Sequence, residues 1–403
     1  MYNAAYNLGM LLMELIIKIM ALFNGKMYSR QKGSQEIWKE LKKADKNAKY
    51  IWIHAASLGE FEQGRPLIEA IKERFDDKKI LLTFFSPSGY EVRKNYNLAD
   101  IVCYFPIDTP RNAKRFVEAI NIEKAFFIKY EFWKNTLEQL YRREIPTYLV
   151  SGVFRKNQFF FKPYGFSHRK VLSFFTHLFV QNDISKKLLQ NIGIENASVA
   201  GDTRFDRVAK IAENAKELPL IKSFAENACV LVAGSTWEKD EKIILNHFNQ
   251  TTTEKLIVVP HEISNHRIEI LCRKIKRPYL RYSEATETNI QQVDCLIIDC
   301  FGLLSSIYRY ATTAYVGGGF GVGIHNTLEA AVWEIPIIFG PNYRKAEEAK
   351  DLIACGGAFS VNSLKDFNRV AAHVSGRTGV GKQAGNYIQT HIGATATIMN
   401  SIF

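Results

Sequence analysis

The chain has 403 residues, of which 47% are hydrophobic and 23% charged, a composition that supplies a sizeable apolar core and excludes an intrinsically disordered protein. Its formal net charge of +12 favours an anionic partner, such as an anionic membrane face or a phosphorylated substrate. Nucleic acid is the least favoured partner because long Lys/Arg tracts and the aromatic-plus-basic motifs of ribonucleoproteins are absent. The six scattered cysteines form no CxxC pair, which indicates reduced thiols rather than a disulfide framework or a zinc site.

The N-terminal segment is the first predicted element. Residues 2–23 are mostly apolar, but Glu14 and Lys18 interrupt them at a spacing that allows an ion pair on one helical face. A secretory signal would carry its charge earlier, and a membrane-spanning helix usually has few or no charges in its centre. Basic residues follow as far as Lys49, a pattern typical of contact with anionic lipid on a cytoplasmic face. We therefore expect residues 1–33 to form a membrane-associating helix, and a core helix of the first domain is the alternative.

From residue 50 the sequence alternates between predicted strands and helices. Strands are predicted over residues 50–54, 80–85, 101–104, 125–128, 147–151, 178–180 and 197–200, and in a second series over 229–233, 255–259, 295–298, 313–316 and 337–339. Their apolar residues do not alternate strictly with polar ones, as is typical of parallel sheets covered on both faces. A charged stretch over residues 207–228 separates the series, and a helix is predicted over 379–403. The sequence thus predicts two doubly wound α/β domains in tandem, with ligands at the cleft between them.

The turn after the first predicted strand ends on a carboxylate. In the stretch IWIHAASLGEFEQGR (51–65), an apolar strand leads through Ser57-Leu58-Gly59-Glu60 into an amphipathic helix. Strand-to-helix turns often carry the chemistry of α/β proteins. Glu60 therefore either caps the helix or accepts a proton during catalysis.

A glycine-rich loop, Gly317–Gly323, follows the fourth strand of the second series and precedes Asn326-Thr327-Leu328-Glu329. Glycines let backbone N–H groups approach a phosphate, and a helix N-terminus attracts anions. Glu329 in the first turn suits the two hydroxyls of a ribose, or it interacts only with the helix dipole. The pattern indicates a pocket for a nucleotide sugar.

Two other loops are predicted at the same edge of the second sheet. Ser235 and Thr236 end a strand, where hydroxyl groups either line a phosphate or sugar or cap the next helix. Pro260 and His261 end the neighbouring strand. A lone histidine is more often structural than catalytic, but this shared edge favours His261 as a site residue.

Nine motifs occur in order along nearly the whole chain. They are HAASLGE (54–60), TFFSPSGYE (83–91), YFPID (104–108), YEFWKN (130–135), VQND (180–183), VAGDTRFD (199–206), AGSTWEKDE (233–241), VVPHE (258–262) and the block from VGGGFGVGIHNTLEAA to FGP (316–341). In these motifs the chain resembles the 3-deoxy-D-manno-octulosonic acid (Kdo) transferases of lipid A biosynthesis, which have the GT-B fold. The resemblance implies an inverting transfer of Kdo from CMP-Kdo to the lipid A precursor (lipid IVA), with no metal and no cofactor. It also implies an enzyme on the cytoplasmic side of the inner membrane.

The resemblance assigns catalytic roles position by position. It places the catalytic base at Glu60, because an inverting transfer needs one base to deprotonate the attacking hydroxyl. Glu131 falls on a position that the family uses to support the transition state, whereas Lys129 and Tyr130 replace the acid and the threonine that precede it. Arg204 falls where the family usually has lysine, and either cation can stabilise a departing phosphate or the Kdo carboxylate.

The donor site is predicted to comprise Ser235, Thr236, Pro260, His261, Phe301, Gly302, Leu303, Asn326, Thr327, Leu328 and Glu329. The family more often has arginine at position 261, usually glutamate at 303 and proline at 327. These departures indicate a divergent member with the same reaction, since Glu60, Asn326 and Glu329 are retained.

The predicted organisation is a membrane-associating helix (1–33), an acceptor-binding Rossmann-like domain (34–208), a CMP-Kdo-binding Rossmann-like domain (209–378) and a C-terminal helix (379–403). The basic residues expected to meet acceptor phosphates are Lys26, Arg30, Lys32 and Arg155. Two alternatives remain open. One is another GT-B enzyme, either a transferase with a UDP donor or an epimerase, and the other is a catalytically inactive nucleotide-sugar-binding protein.

Overall fold

The computed structural model describes residues 2–321 and 323–403, which form two compact units. The first unit contains the chain as far as Arg207 together with Gly393–Phe403, and the second contains Val208–Ile392. The sequence placed the division after residue 208.

Helices and strands alternate through both units. The strands are β1 (Tyr50–Ala55), β2 (Lys79–Phe84), β3 (Ile101–Tyr104), β4 (Ile122–Ile128), β5 (Thr147–Gly152), β6 (His177–Val180), β7 (Ala197–Val199), β8 (Cys229–Thr236), β9 (Glu254–Pro260), β10 (Tyr279–Arg281), β11 (Cys295–Ile297), β12 (Thr313–Val316), β13 (Ile337–Phe339) and β14 (Ala358–Ser360). The helices are α1 (Tyr2–Met20), α2 (Gly25–Leu41), α3 (Leu58–Arg74), α4 (Pro87–Arg93), α5 (Pro110–Ala119), α6 (Lys134–Arg142), α7 (Phe166–Leu172), α8 (Asp183–Gln190), α9 (Thr203–Glu213), α10 (Pro219–Ala225), α11 (Glu238–Phe248), α12 (Asn265–Cys272), α13 (Leu304–Ile307), α14 (Leu328–Ala331), α15 (Glu347–Ala354), α16 (Leu364–Val374), α17 (Thr378–Gln389) and α18 (Ala394–Ile402).

The first sheet has the strand order β3-β2-β1-β4-β5-β6-β7, and its strands pair in parallel. Successive residues of a strand point to opposite faces, so Tyr50 and Trp52 pack into one core cluster while Ile51 and Ile53 pack into another. Both faces of β1 are buried, which explains why its sequence is continuously apolar. The direction of chain progression reverses between β1 and β4, the position where ligands of such sheets bind.

The second sheet has the strand order β10-β11-β9-β8-β12-β13-β14, again with parallel pairing. Its reversal point lies between β8 and β12. The prediction of two doubly wound parallel α/β sheets is confirmed, and each sheet presents the loops after its strands at one edge.

The C-terminal segment differs from the prediction of one helix over residues 379–403. It contains α17 and α18, separated by Gly393, whose φ of 115° lies in the left-handed region that favours glycine. The Asp206 carboxylate accepts hydrogen bonds from Gly393 N (2.6 Å), Thr395 N (2.7 Å) and Thr395 Oγ1 (2.6 Å). These bonds fix the start of α18 to the first unit.

The N-terminal segment also differs from the single predicted helix. Asn24 caps a second helix, α2, which continues beyond residue 33 and buries Ile37 and Leu41 in the core of the first unit. In contrast, the stretch Asn3–Met20 of α1 has a mean hydropathy of 1.2 with no residue buried, and it is long and apolar enough to cross a membrane by length and composition alone.

Arg30 is not available to acceptor phosphates, contrary to the prediction. Its guanidinium lies between the rings of Phe85 and Tyr104, 4.8 Å from each centroid, and is only 2% exposed. Nη2 donates to the Phe105 carbonyl over 2.6 Å, and burial lowers the pKa of Arg30 to about 10. Arg30 therefore holds α2 against the first sheet.

Candidate active site

Glu60 lies in the turn between β1 and α3. Ser57 is the N-cap of α3, and its Oγ accepts a hydrogen bond from Glu60 N over 3.5 Å while Ser57 N donates to Glu60 Oε2 over 3.1 Å. This reciprocal pair is a capping box, which confirms the capping interpretation of Glu60. The same bonds hold the carboxylate at the edge of the sheet where the order reverses.

The surroundings of Glu60 disfavour its charged form. Burial raises the pKa of Glu60 to about 7, and the negative charge of Glu131 acts in the same direction. Backbone hydrogen bonds from Ser57 and Ala56 and the positive charge of Lys129 oppose this rise in the pKa of Glu60. A carboxyl group that gains and loses a proton near neutral pH is suited to general base catalysis.

Glu131 follows β4 and is only 8% exposed. Its Oε2 accepts a hydrogen bond from Trp133 Nε1 over 2.6 Å and lies 3.2 Å from His54 Nε2. Lys129, which begins this turn, has a φ of 69°, a strained backbone conformation for a residue with a side chain. The turn therefore places Glu131 close enough to Glu60 for the two charges to interact.

Arg204 begins the helix after β7 and pairs with Asp202. Its Nε and Nη2 lie 2.9 and 2.7 Å from Asp202 Oδ2, and Asp202 is buried. The charges of Arg155, Arg204 and Glu60 all act on the hydroxyl of Tyr130, which also hydrogen-bonds to Arg155. The structure thus brings the predicted Glu60, Glu131 and Arg204 to one edge of the first sheet.

Three stacked rings, Trp237, His261 and His325, lie at the corresponding edge of the second sheet, after the neighbouring strands β8, β9 and β12. The His261 centroid lies 4.5 Å from that of Trp237 and 4.6 Å from that of His325. Trp237 Nε1 donates to His325 Nε2 over 3.0 Å, and burial, followed by the neighbouring His261, lowers the pKa of His325. His325 is therefore neutral, with its hydrogen on Nδ1.

Glu329 begins the short helix α14 and accepts two hydrogen bonds. Ser305 Oγ donates to Glu329 Oε2 over 2.5 Å, and Asn326 Nδ2 donates to Oε1 over 3.1 Å. Trp333 Nε1 in turn donates to the Ser305 carbonyl over 2.7 Å. The predicted pair Asn326 and Glu329 is thus brought together and fixed in position by Ser305.

The glycine-rich loop does not present the series of unoccupied N–H groups that the sequence predicted. Gly317 N donates to the Gly234 carbonyl over 2.9 Å, and Gly318 N donates to Asp240 Oδ2 over 2.9 Å. Gly321 N and Gly323 N both donate to the Gly318 carbonyl. These glycines serve close packing, since a Cβ at Gly319 would lie 2.6 Å from Gly340 N.

Comparison with known proteins identifies the chain's relatives. Residues 30–207 match the family model described as 3-deoxy-D-manno-octulosonic-acid transferase (kdotransferase). The 3-deoxy-D-manno-octulosonic acid transferase of Aquifex aeolicus is 29% identical over 327 residues, which cover 79% of this chain and 83% of that protein. The chain is thus similar to Kdo transferases over 79% of its length.

Other relatives of the chain extend the comparison. The 3-deoxy-D-manno-octulosonic acid transferase of Rickettsia felis is 28% identical, over 78% of this chain and 69% of that protein. A bifunctional glycosyltransferase/methyltransferase of Fusobacterium nucleatum is 26% identical over 80% of this chain. The aligned part spans 52% of that bifunctional protein, about half its length.

Solved structures show the fold of the chain. A UDP-GlcNAc 2-epimerase from Neisseria meningitidis, bound to UDP-GlcNAc, has a TM-score of 0.59 at 14% identity and covers 88% of this chain and 98% of that one. MurG of Acinetobacter baumannii has a TM-score of 0.56 at 9% identity, covering 88% and 99%. Both are GT-B enzymes, and the predicted GT-B fold is confirmed.

The remaining residues of the predicted donor site differ in how far their side chains are exposed. Ser235 is half-buried with a φ of 52°, and Phe301 is 78% exposed beside Gly302. The side chains of four others are buried, namely those of Thr236, Pro260, Thr327 and Leu328. Leu303 is half-buried and precedes α13.

The buried hydroxyl of Thr236 has a structural role. Thr236 Oγ1 donates to Glu241 Oε1 over 3.0 Å, and the other oxygen of Glu241 pairs with Arg267. The Thr236 hydroxyl is therefore bonded to Glu241, and its contact with substrate stays a prediction.

Sequence reasoning missed Trp237, His325 and Ser305. Trp237 directly follows Ser235 and Thr236 at the end of a predicted strand, and this position was the available signal. Ser305 carried no such signal, because its bond to Glu329 joins segments 24 residues apart.

Proposed function

We propose that the protein transfers Kdo from CMP-Kdo to the lipid A precursor, lipid IVA, with inversion at the anomeric carbon. The observation that supports this proposal most directly is the environment of Glu60. Its pKa of about 7, set by burial and by Glu131, lets the ionised carboxylate remove a proton near neutral pH. The Kdo transferase relatives support the choice of sugar.

In the proposed reaction, an acceptor hydroxyl oxygen forms a bond to the anomeric carbon of Kdo while the bond from that carbon to the phosphate oxygen breaks. The hydroxyl proton passes to the Glu60 carboxylate, and CMP departs with the bonding electrons. Lys129, Arg155 and Arg204 give this edge of the first unit a positive character that suits the Kdo carboxylate or the acceptor phosphates.

We assign CMP-Kdo binding to the carboxyl edge of the second sheet. Glu329, held by Ser305 and Asn326, keeps a carboxylate in place as an acceptor for ribose hydroxyls. Neutral His325 offers an Nδ1–H donor, and the exposed His261 ring beside it occupies the position where the family more often has arginine. Both donors suit the oxygens of a phosphate.

We also propose that α1 lies on the cytoplasmic side of the inner membrane, where the acceptor is anchored. One face of α1 presents exposed apolar side chains, namely Leu8, Leu11, Leu12, Leu15, Ile16 and Ile19. Their spacing is that of an amphipathic interfacial helix. Exposed Lys26 and Lys32 follow it and suit anionic headgroups.

A second exposed surface supports this placement. The segment after β5 carries the exposed aromatic residues Phe159, Tyr164 and Phe166. Exposed Arg155 and Lys156 lie in the same segment. Aromatic side chains with adjacent cations are typical of membrane interfaces.

The decisive experiment incubates the purified full-length protein with lipid IVA in mixed micelles and CMP-Kdo generated in situ, followed by mass spectrometry. We expect the acceptor to gain the mass of Kdo with the wild type, but not with Glu60→Gln. Glu73→Gln, an exposed position on the same helix α3, is the matched control and retains activity.

Calorimetry with CMP, UMP and UDP distinguishes the alternatives. Selective binding of UDP would identify another nucleotide-sugar enzyme. Binding of CMP without any transfer would identify an inactive binding protein.

A further inference from the structure

A chain of buried hydrogen bonds runs from the core of the first sheet to Glu131. Trp52 Nε1 lies 2.8 Å from Thr83 Oγ1, and His54 Nδ1 lies 2.9 Å from the same oxygen. His54 Nε2 then lies 3.2 Å from Glu131 Oε2. Thr83 is the direct neighbour of His54 across strands β1 and β2, and Trp52, His54 and Thr83 are completely buried.

The direction of the first bond is fixed, because Trp52 Nε1 can only donate and Thr83 Oγ1 accepts its hydrogen. The Thr83 oxygen can accept a second hydrogen or donate its own, so its bond to His54 Nδ1 does not by itself fix the tautomer of His54. His54 Nε2 lies 3.2 Å from Glu131 Oε2 and 3.0 Å from Trp133 Nε1, and Trp133 Nε1 is closer to Glu131 Oε2, at 2.6 Å. A hydrogen on His54 Nε2 pairs with the carboxylate oxygen, whereas a lone pair there would repel it, so the geometry favours hydrogen on Nε2. Since Trp133 Nε1 also donates to Oε2, this oxygen is held by two N–H groups.

We propose that His54 is a positioning residue, which holds the Glu131 carboxylate beside Glu60 so that its charge acts on Glu60, the carboxylate that takes up the proton. This inference rests on Glu60 being the base of the proposed reaction. Two neighbouring carboxylates ionise together only at a cost in free energy, so the position of one affects the ionisation of the other.

The groups that face Glu60 are consistent with this division of roles. From the turn after β4, Glu131 opposes its ionisation and Lys129 favours it, while Tyr130 interacts with it electrostatically. From its own turn, the backbone N–H groups of Ala56 and Ser57 favour ionisation. Without the charge of Glu131, burial alone would oppose the ionisation of Glu60, which Lys129 and the backbone groups favour.

Packing alone does not require histidine at this position. The His54 ring lies 4.5 Å from the centroid of Phe105 and 5.7 Å from that of Phe127, an environment that accommodates phenylalanine. What phenylalanine lacks is the donor to Glu131. His54→Phe therefore removes the hydrogen bonds with little change in shape, and His54→Gln restores an N–H donor near the Nε2 position.

The test measures the pH dependence of kcat and KM for the full-length wild type, His54→Phe and His54→Gln. In His54→Phe, Glu131 loses a contact that holds it beside Glu60, so its charge opposes the ionisation of Glu60 less. We expect the acid limb of the kcat profile to move to lower pH by about one unit, with kcat falling roughly tenfold and KM changing less than about threefold. His54→Gln is expected to return both towards the wild type.

Nuclear magnetic resonance of the ligand-free protein separates this inference from the proposed function. The ¹⁵N shifts of His54 are expected to report hydrogen on Nε2, and the Glu60 titration midpoint is expected to fall in His54→Phe. Hydrogen on Nδ1, or an unchanged Glu60 midpoint in both variants, would overturn the inference even if transfer is absent. If His54→Phe does not fold, His54→Gln and the wild-type tautomer decide the matter.

Discussion

The hydroxyl of Tyr6 donates a hydrogen bond of 2.8 Å to the carboxylate of Asp108, which is completely buried. Asp108 also accepts hydrogen bonds from Asn135 N, Thr136 N and Thr136 Oγ1, at the start of α6. The exposed helix α1 is thereby attached to the segment that directly follows Glu131. Burial raises the pKa of Asp108 to about 6, although each of these hydrogen bonds opposes the rise.

Tyr6→Phe is expected to detach α1 from this segment. A hydrogen bond to a charged group contributes about 1.5–3 kcal/mol, so hydrogen exchange of the α1 amides should accelerate roughly 10- to 100-fold. Mass spectrometry of deuterium uptake measures this change. Tyr28→Phe, on an exposed side chain of α2, is the control and should leave exchange in α1 unchanged.

Glu60→Gln is expected to stabilise the protein at high pH while it abolishes transfer. Burial raises the pKa of Glu60 to about 7 from its usual 4.5, so its ionisation destabilises the folded state as pH rises through this interval. Below the lower value Glu60 is protonated in both states, and the substitution has little effect there. We expect a gain of about 1–3 kcal/mol at about pH 8 and close to none at about pH 4. Urea denaturation at both pH values measures this difference, and an equal effect at both would contradict the assignment.

Trp237→Phe keeps a ring against His261 but removes the donor to His325 Nε2. His325 then loses the bond that fixes its hydrogen on Nδ1. We expect CMP affinity, measured by calorimetry, to fall by about three- to tenfold, the effect of weakening one hydrogen bond. Trp38→Phe in the first unit is the matched control. Unchanged affinity in Trp237→Phe would exclude His325 from the donor site.

Glu329→Gln tests the ribose assignment through ligand discrimination. If the carboxylate accepts from ribose hydroxyls, the wild type should bind CMP about tenfold more tightly than 2′-deoxy-CMP, and the variant should lose most of this preference. Ser305→Ala, which removes the bond that positions Glu329, should weaken CMP binding less than Glu329→Gln. Equal discrimination in wild type and Glu329→Gln would place the ribose elsewhere.

The double substitution Leu12→Glu and Ile16→Glu should abolish binding to anionic vesicles. Both side chains are about half-exposed on α1, so their replacement should leave the free energy of unfolding within about 0.5 kcal/mol. Vesicle co-sedimentation measures binding, and Val92→Glu is a control at an exposed apolar residue on α4. Retained binding by the double variant would exclude the apolar face of α1 as the membrane contact.

The features that the sequence predicted are those encoded locally. The apolar run of β1 predicts a strand that is buried on both faces. The spacing of three residues between Ser57 and Glu60 is that of a capping box. Because parallel strands present their carboxyl ends together, Glu60 and Glu131 could be expected at one edge.

Features that depend on distant pairs could not be predicted in this way. His54 and Glu131 are 77 residues apart, and Trp237 and His325 are 88 apart, so their contacts follow from strand order rather than from spacing. Arg30 lies in a basic stretch of the sequence, and its burial follows from contacts with the distant residues Phe85, Tyr104 and Phe105. The sequence of the glycine loop does not distinguish close packing from anion binding, because both favour glycine.

The return of α18 to the first unit makes the second unit an insertion within the first. The chain leaves the first unit after Arg207 and rejoins it at Gly393, which Asp206 holds directly. During synthesis, α18 can therefore pack onto the first unit only after residues 208–392 have been made. Removal of residues 393–403 would therefore leave the second unit intact and would instead damage the unit that contains Glu60.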